Sequence, residues 1–215
     1  MKQNKKETNI VTHDFITAPV INFLNFLHKN KTAVFIVIII LAVAGAGAGF
    51  YFSYRSNVYE DSWKQYYLST VSEGPAKDGA LALLSGKYKD TAAEFMARYE
   101  QAGAFYDAGK YGDAAKIFED LSKFKNKNLA AFAQLSLANA LYAAGETQKA
   151  VTAAQNFINN NEDHFASAQA YLIIAMGQEK LGKKDDAIKT YTLITQRFAP
   201  GYYDTFAQNK LKILK

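Results

Sequence analysis

Ala104-Phe-Tyr-Asp-Ala-Gly-Lys-Tyr-Gly-Asp-Ala114 recurs as Ala140-Leu-Tyr-Ala-Ala-Gly-Glu-Thr-Gln-Lys-Ala150 and as Gly177-Gln-Glu-Lys-Leu-Gly-Lys-Lys-Asp-Asp-Ala187. Aligned, the three stretches set Gly109, Gly145 and Gly182 at a period of 36 to 37 residues, each after an apolar helical segment. Five residues on come Ala114, Ala150 and Ala187, and four beyond those come Phe118, Ala154 and Tyr191. Glycine ends a helix in a turn where φ is positive. A small alanine early in the next helix lets two helices cross closely, and the residue one turn later fills the gap to the neighbouring unit. Repetition of this kind makes an all-α solenoid.

The pattern resembles the tetratricopeptide repeat, a helix–turn–helix of about 34 residues. The small residue of each first helix is Ala102, Ala138 or Ala175, with Phe105 or Leu141 three later; the third unit departs with Gln178. The proline usual near a repeat's end occurs once, displaced, as Pro200. The extra residues in each period are expected in the turns around 125–128 and 159–163. The resemblance implies a tetratricopeptide α-solenoid over 92–215 with about three to four helix pairs. A capping helix at 202–215 closes it, built on Tyr203, Phe206, Leu211 and Leu214. Residues 54–91 are expected to be a helical linker or a degenerate first repeat. They hold a helix over 54–71 with the only tryptophan, Trp63, and a shorter piece over 80–84 after Gly74-Pro75.

Upstream, no residue of 32–53 is charged, and Val34–Phe52 is an uninterrupted apolar run of 19 residues. At about 1.5 Å per residue it reaches about 28 Å, close to the ~30 Å of a bilayer's hydrocarbon core. Residues 32–53 therefore read as an N-terminal transmembrane helix. Ala42-Val43-Ala44 has the form of a signal-peptidase site, but the 31 residues ahead of the run and its continuation to Phe52 favour an uncleaved anchor. Lys29 and Lys31 precede the run, and residues 1–53 carry a net +3 against +2 for the remaining 162. That bias predicts a single-pass protein with its N-terminus in the cytoplasm and its C-terminal domain outside, in the periplasm of a bacterium. Within the leader, 1–31, Ile16, Val20, Phe23, Leu24 and Leu27 form a helical ladder opposite Asn22, Asn25 and His28. The ladder reads as a short amphipathic helix in the inner-leaflet interface, the alternative being a disordered leader.

The run 44–49 alternates alanine and glycine but is no phosphate loop, since it lies inside the apolar span with no Lys-Ser/Thr after it. Gly45 and Gly49, four apart, instead suit packing against another membrane helix, or are small residues that merely fill the span. The soluble part is near neutral, which argues against nucleic acid as partner. The chain has no cysteine, so disulfides, thiolate chemistry, cysteine-based zinc and lipid attachment at a cysteine are excluded. His13, His28 and His164 are scattered, and one histidine beside Glu162 and Asp163 is an ordinary loop. No hydrolase, metalloprotease or nucleotide-loop motif is present. The expectation is no enzyme, no cofactor, no metal and no small-molecule substrate.

At the scale of the whole chain, a short basic leader, one membrane helix and about 160 residues of repeats are similar to the YfgM-like family. The membrane entry Phe26-Leu27-His28-Lys29-Asn30-Lys31 strengthens the likeness. These proteins are ancillary subunits of the Sec translocon in the inner membrane of Gram-negative bacteria. The resemblance implies Sec translocon subunits, exported client polypeptides and periplasmic chaperones as partners, with a chaperone-like function. In tetratricopeptide arrays the first helices line the inner face. That register predicts a client-binding groove of Met96, Tyr99, Tyr106, Phe132, Leu135, Asn139, Tyr142, Leu172 and Met176, about half of which would be core. It is uncharged and rich in adaptable Tyr and Met. A clamp for a C-terminal carboxylate would need Lys and Arg here, and only Asn139 qualifies. The alternative function is a structural tether or assembly factor for division or outer-membrane machinery.

Overall fold

The computed structural model describes residues 17–198 and 200–214 and shows ten α-helices and no strand among them. The chain divides into two compact units, one reaching to Asn57 and one starting at Val58. In the first unit, α1 covers Thr17–Lys29 and Asn30 separates it from α2, Lys31–Val71, whose C-terminal part belongs to the second unit. Ile16, the first rung of the predicted ladder, lies outside the described residues. Helix α2 is the one helix among the described residues long and apolar enough to cross a membrane. Its large apolar side chains, among them Phe35, Leu41 and Phe50, are exposed.

In the second unit, α3 spans Gly74–Ser85, α4 Ala92–Asp107, α5 Tyr111–Leu121, α6 Lys127–Ala143 and α7 Thr147–Asn160. Then follow α8 over Ser167–Lys180, α9 over Lys184–Arg197 and α10 over Tyr202–Leu214. The pairs α4/α5, α6/α7 and α8/α9 are the three repeats read from the sequence, and α10 packs on α9 and α8 as the cap. The inter-repeat turns fall at 122–126 and 161–166. Upstream, Gly74-Pro75 opens α3 rather than preceding it, because proline fits the first turn of a helix, where no bond to its nitrogen is needed. Val58, Trp63 and Tyr66 of α2 pack with Leu84 of α3, Tyr88, and Ala93 and Ala97 of α4.

Each repeat turns by the same device. Gly109, Gly145 and Gly182 have φ of 73°, 82° and 75°. The amide of Gly109 donates to the Tyr106 carbonyl at 2.9 Å, and that of Lys110 reaches back to Phe105 at 2.8 Å. Gly145 and Glu146 do the same to Tyr142 and Leu141, and Gly182 and Lys183 to Glu179 and Gln178. These are Schellman turns, which satisfy the carbonyls left open at a helix end. The residue three after each first-helix alanine, Phe105, Leu141 or Gln178, supplies the accepting carbonyl. Two helices that no such turn precedes, α4 and α6, are capped by a side chain. Thr91 Oγ1 accepts from Glu94 N at 3.2 Å to start α4, and Asn126 Oδ1 accepts from Asn128 N at 3.0 Å to start α6.

Ala102 and Ala114 share one core with Phe118, Ala138 and Ala150 share the next with Ala154, and Ala175 and Ala187 the third with Tyr191. All six alanines are fully buried. Between repeats the approach is also close: a Cβ on Gly177 would lie 2.3 Å from Val151 Cγ2 of α7. In the last repeat Tyr191 donates its hydroxyl to Glu179 Oε2 at 3.0 Å, and Lys210 of α10 reaches Glu179 Oε1 at 2.9 Å, tying the cap to the pair. Burial first, and then that bond to a carboxylate, push the Tyr191 phenol well above its ordinary pKa, so it stays neutral.

Replacing Ala150 with Leu is expected to overpack the crossing and cost about 1–3 kcal/mol. Gly145→Val is expected to destabilise as well, since a β-branched residue is strained at positive φ. Thermal unfolding of both variants checks this; melting like the parent would mean that the register is wrong.

Candidate polypeptide-binding groove

The first helices α4, α6 and α8 lie side by side, α6 touching both neighbours, so residues one period apart face each other. Met96 and Phe132 are 36 residues apart and wall the same hollow, with Phe95, Tyr99 and Leu129. It holds about 230 Å³ and no charged side chain lines it. A second hollow of about 340 Å³ adjoins it across Tyr99, lined by Tyr106, Phe118, Ser136, Asn139 and Gln169 with Gly103. This one is also uncharged but offers hydroxyls and amides. Tyr99 divides the two. Its ring stacks on Phe95 at 5.7 Å and meets the Phe118 edge at 5.2 Å, and its hydroxyl hydrogen-bonds Ser136 Oγ at 2.6 Å.

Beside the first hollow, the loop ahead of α8 presents an aromatic group. Phe165 is 78% exposed and lies 4.4 Å from the His164 ring and 6.0 Å from Phe132. The loop is braced around it. His164 Nδ1 accepts from the Ala166 amide at 3.2 Å, and Ser167 Oγ donates to the carbonyls of Asn161 and Glu162. Arg197 reaches Glu162 Oε1 at 2.8 Å and Asp163 Oδ1 at 3.7 Å. The carboxylates beside His164 are thus spent on a guanidinium, and no group of three His, Cys, Asp or Glu able to hold a metal occurs among the described residues.

Residues 91–212, more than half of the chain, match the family model described as YfiO, an outer membrane lipoprotein. The chain belongs to this family. A crystal structure of nearly identical TPR-like repeats from a Podosopora anserina kinesin light chain is similar with a TM-score of 0.54. Its sequence is 15% identical over 70% of this chain and 83% of that one, a likeness of fold alone. No curated protein matches the chain. Fold and family together make residues 91–212 a tetratricopeptide module of the protein-interaction kind, and both are typical of non-catalytic scaffolds. This YfiO-family chain has no cysteine to carry a lipoprotein's lipid; the family and the apolar helix α2 together fit association with a membrane.

Within this YfiO-family fold the nine groove positions separate. Met96, Tyr99, Tyr106, Phe132 and Asn139 line the two hollows. Tyr142 is half-buried under Lys180, whose Nζ stands 5.3 Å above its ring, and Met176 packs against the C-terminal core. Leu135 and Leu172 are buried in core clusters and line neither of these two hollows. Phe165, Ser136, Gln169 and Leu129 join the site without having been anticipated. Ser136 had a signal, since it stands one period of 37 residues after Tyr99; Phe165 had none, because it projects from a loop. Gly45 and Gly49 sit on the exposed surface of α2 with open space around them.

The separation of groove from core is measurable. Leu135→Ala is expected to cost about 2–5 kcal/mol of stability, as a buried truncation does. Phe132→Ala, 40% exposed, is expected to cost about 1 kcal/mol or less. Equal losses by chemical denaturation would put Phe132 in the core.

Proposed function

We propose that this chain is a membrane-anchored scaffold that holds exported or unfolded polypeptide in the two hollows of α4 and α6, beside the Sec translocon. The observation that carries the reading is the junction of the hollows at Tyr99. An apolar cavity of single-side-chain size adjoins one with hydroxyls and amides, so an apolar residue enters the first while the neighbouring main chain bonds in the second. Neither lining offers Lys or Arg, so an internal segment suits the site better than a terminal carboxylate.

In this reading α2 crosses the inner membrane once, with the leader cytoplasmic and residues 92–215 in the periplasm; the lysines ahead of the span support that orientation. Gly45 and Gly49 let a partner's membrane helix approach. Likeness to the YfgM-like subunits supports Sec translocon subunits, exported clients and periplasmic chaperones as partners. The second reading, a tether within outer-membrane machinery, draws support from the printed description of the YfiO family. Co-purification in mild detergent discriminates them: channel subunits with varied clients favour the first, one stoichiometric envelope partner the second.

Serine at both Tyr106 and Phe132 is expected to weaken capture of an unfolded export precursor more than about thirtyfold, each anchor contributing above ~1 kcal/mol. The melting temperature should stay near the parent's. Phe118→Ser, in the core, should instead lower stability. Parental capture by a folded double variant would contradict the groove and favour the tether.

A further inference from the structure

Helix α1 has too little polar surface to stand in water. At about 100° per residue, Asn22, Asn25 and Lys29 fall within one strip about 60° wide. The remaining circumference carries Val20, Ile21, Phe23, Leu24, Phe26 and Leu27, broken by His28 beside Ile21. Five of these six are 50–60% exposed, and none belongs to a core cluster of the described residues. A helix apolar around most of its surface is ordinarily buried.

What covers α1 follows from its length and its neighbours. Its 13 residues reach about 20 Å, short of a bilayer's ~30 Å. One residue, Asn30, joins it to α2. Asn30 closes α1 and opens α2, its Nδ2 donating to the Phe26 carbonyl at 2.9 Å and its own carbonyl accepting from Val34 N at 3.0 Å. Stacked along one axis, α1 and the apolar part of α2 would reach about 54 Å, far more than one bilayer holds. The charges point the same way. Lys29 and Lys31 flank the junction, and no acidic residue occurs from Phe15 to Tyr59, so these ammonium groups have no carboxylate nearby in the sequence.

We propose that α1 is an in-plane lipid-binding helix seated on an anionic leaflet. Its wide apolar arc lies among the acyl chains, only the Asn22–Asn25–Lys29 strip faces the headgroups, and Lys29 and Lys31 bind lipid phosphates. The narrow polar strip means a deep seat, unlike a helix that is half polar. Because the two lysines bracket Asn30, this contact fixes the depth at which α2 enters. The proposal rests on α2 being a membrane span.

The absence of cysteine allows single spin labels in the full chain, reconstituted in vesicles of phosphatidylethanolamine and phosphatidylglycerol. Labels go at Asn22→Cys, Phe23→Cys, Leu24→Cys and Asn25→Cys, with Ile38→Cys as the α2 control. Collision with a water-soluble nickel chelate is expected to be several-fold greater at 22 and 25 than at 23 and 24, with oxygen showing the opposite order. Position 38 should be shielded from nickel. Nickel access at all four α1 positions with 38 shielded would overturn the in-plane helix while leaving the span. Shielding of all four would also overturn it, in favour of insertion. Nickel access at 38 would overturn the span itself. In a Lys29→Gln, Lys31→Gln chain, or in phosphatidylcholine alone, the 22/23 contrast is expected to shrink; an unchanged contrast would overturn the role of anionic headgroups.

Discussion

Burial of alanines between the paired helices is the constraint on which the repeat unit depends. Ala102 with Ala114, Ala138 with Ala150 and Ala175 with Ala187 are fully buried in shared cores, and each places no more than a methyl between the two helices of its repeat. The approach is available only because the turn between the helices is tight, and the turn is tight because Gly109, Gly145 and Gly182 take positive φ. Small residue and turn act as one device. Gly177 extends it between repeats, where Val151 occupies the space a Cβ would need.

Once the crossings are closed by small residues, the larger ones are displaced to where the first helices meet side by side. There Tyr99, Met96 and Phe132 cannot all be covered, because the neighbouring positions include Gly103, Ser136 and Asn139, which fill little volume. The hollows are thus a by-product of the packing rule that makes the fold, which is how one architecture serves many partners. Tyr99 belongs to both roles. Its ring completes the core with Phe95 and Phe118, and its hydroxyl faces Ser136 at the junction of the hollows.

Much of this was legible in the sequence because a repeat states the same physics three times. The three glycines and their alanines appear at the expected places, and some side-chain partners across repeats lie about one period apart. Tyr99 with Ser136 is 37 residues apart, and Lys125 with Asp90 and Arg197 with Glu162 are each 35 apart. Periodicity could not tell groove from core at the same face. Leu135 and Phe132 lie one turn apart on α6, yet the first is closed over by α7 and α8 while the second stays open. That difference depends on the angle at which helices cross, which no spacing encodes. Phe165 was hidden for another reason: it sits in the turn of 161–166, where hydrogen bonds to Ser167 and Arg197 decide the chain's path. Upstream, the start of α3 was misplaced because Gly-Pro serves equally as a break or as a first turn.

In the proposed function, client polypeptide meets the face of the first helices and not the opposite one. The opposite side has a hollow of its own, about 520 Å³ between α5 and α7, but it is rimmed by Lys116, Glu119, Glu146 and Lys149, groups suited to water. A photoreactive amino acid placed in living cells at Gln169, beside the second hollow, or at Thr152, beside the other, compares the two faces directly. A spread of adduct masses is expected from Gln169, as varied clients would give, and little from Thr152. A single discrete adduct from Thr152, with none from Gln169, would contradict it.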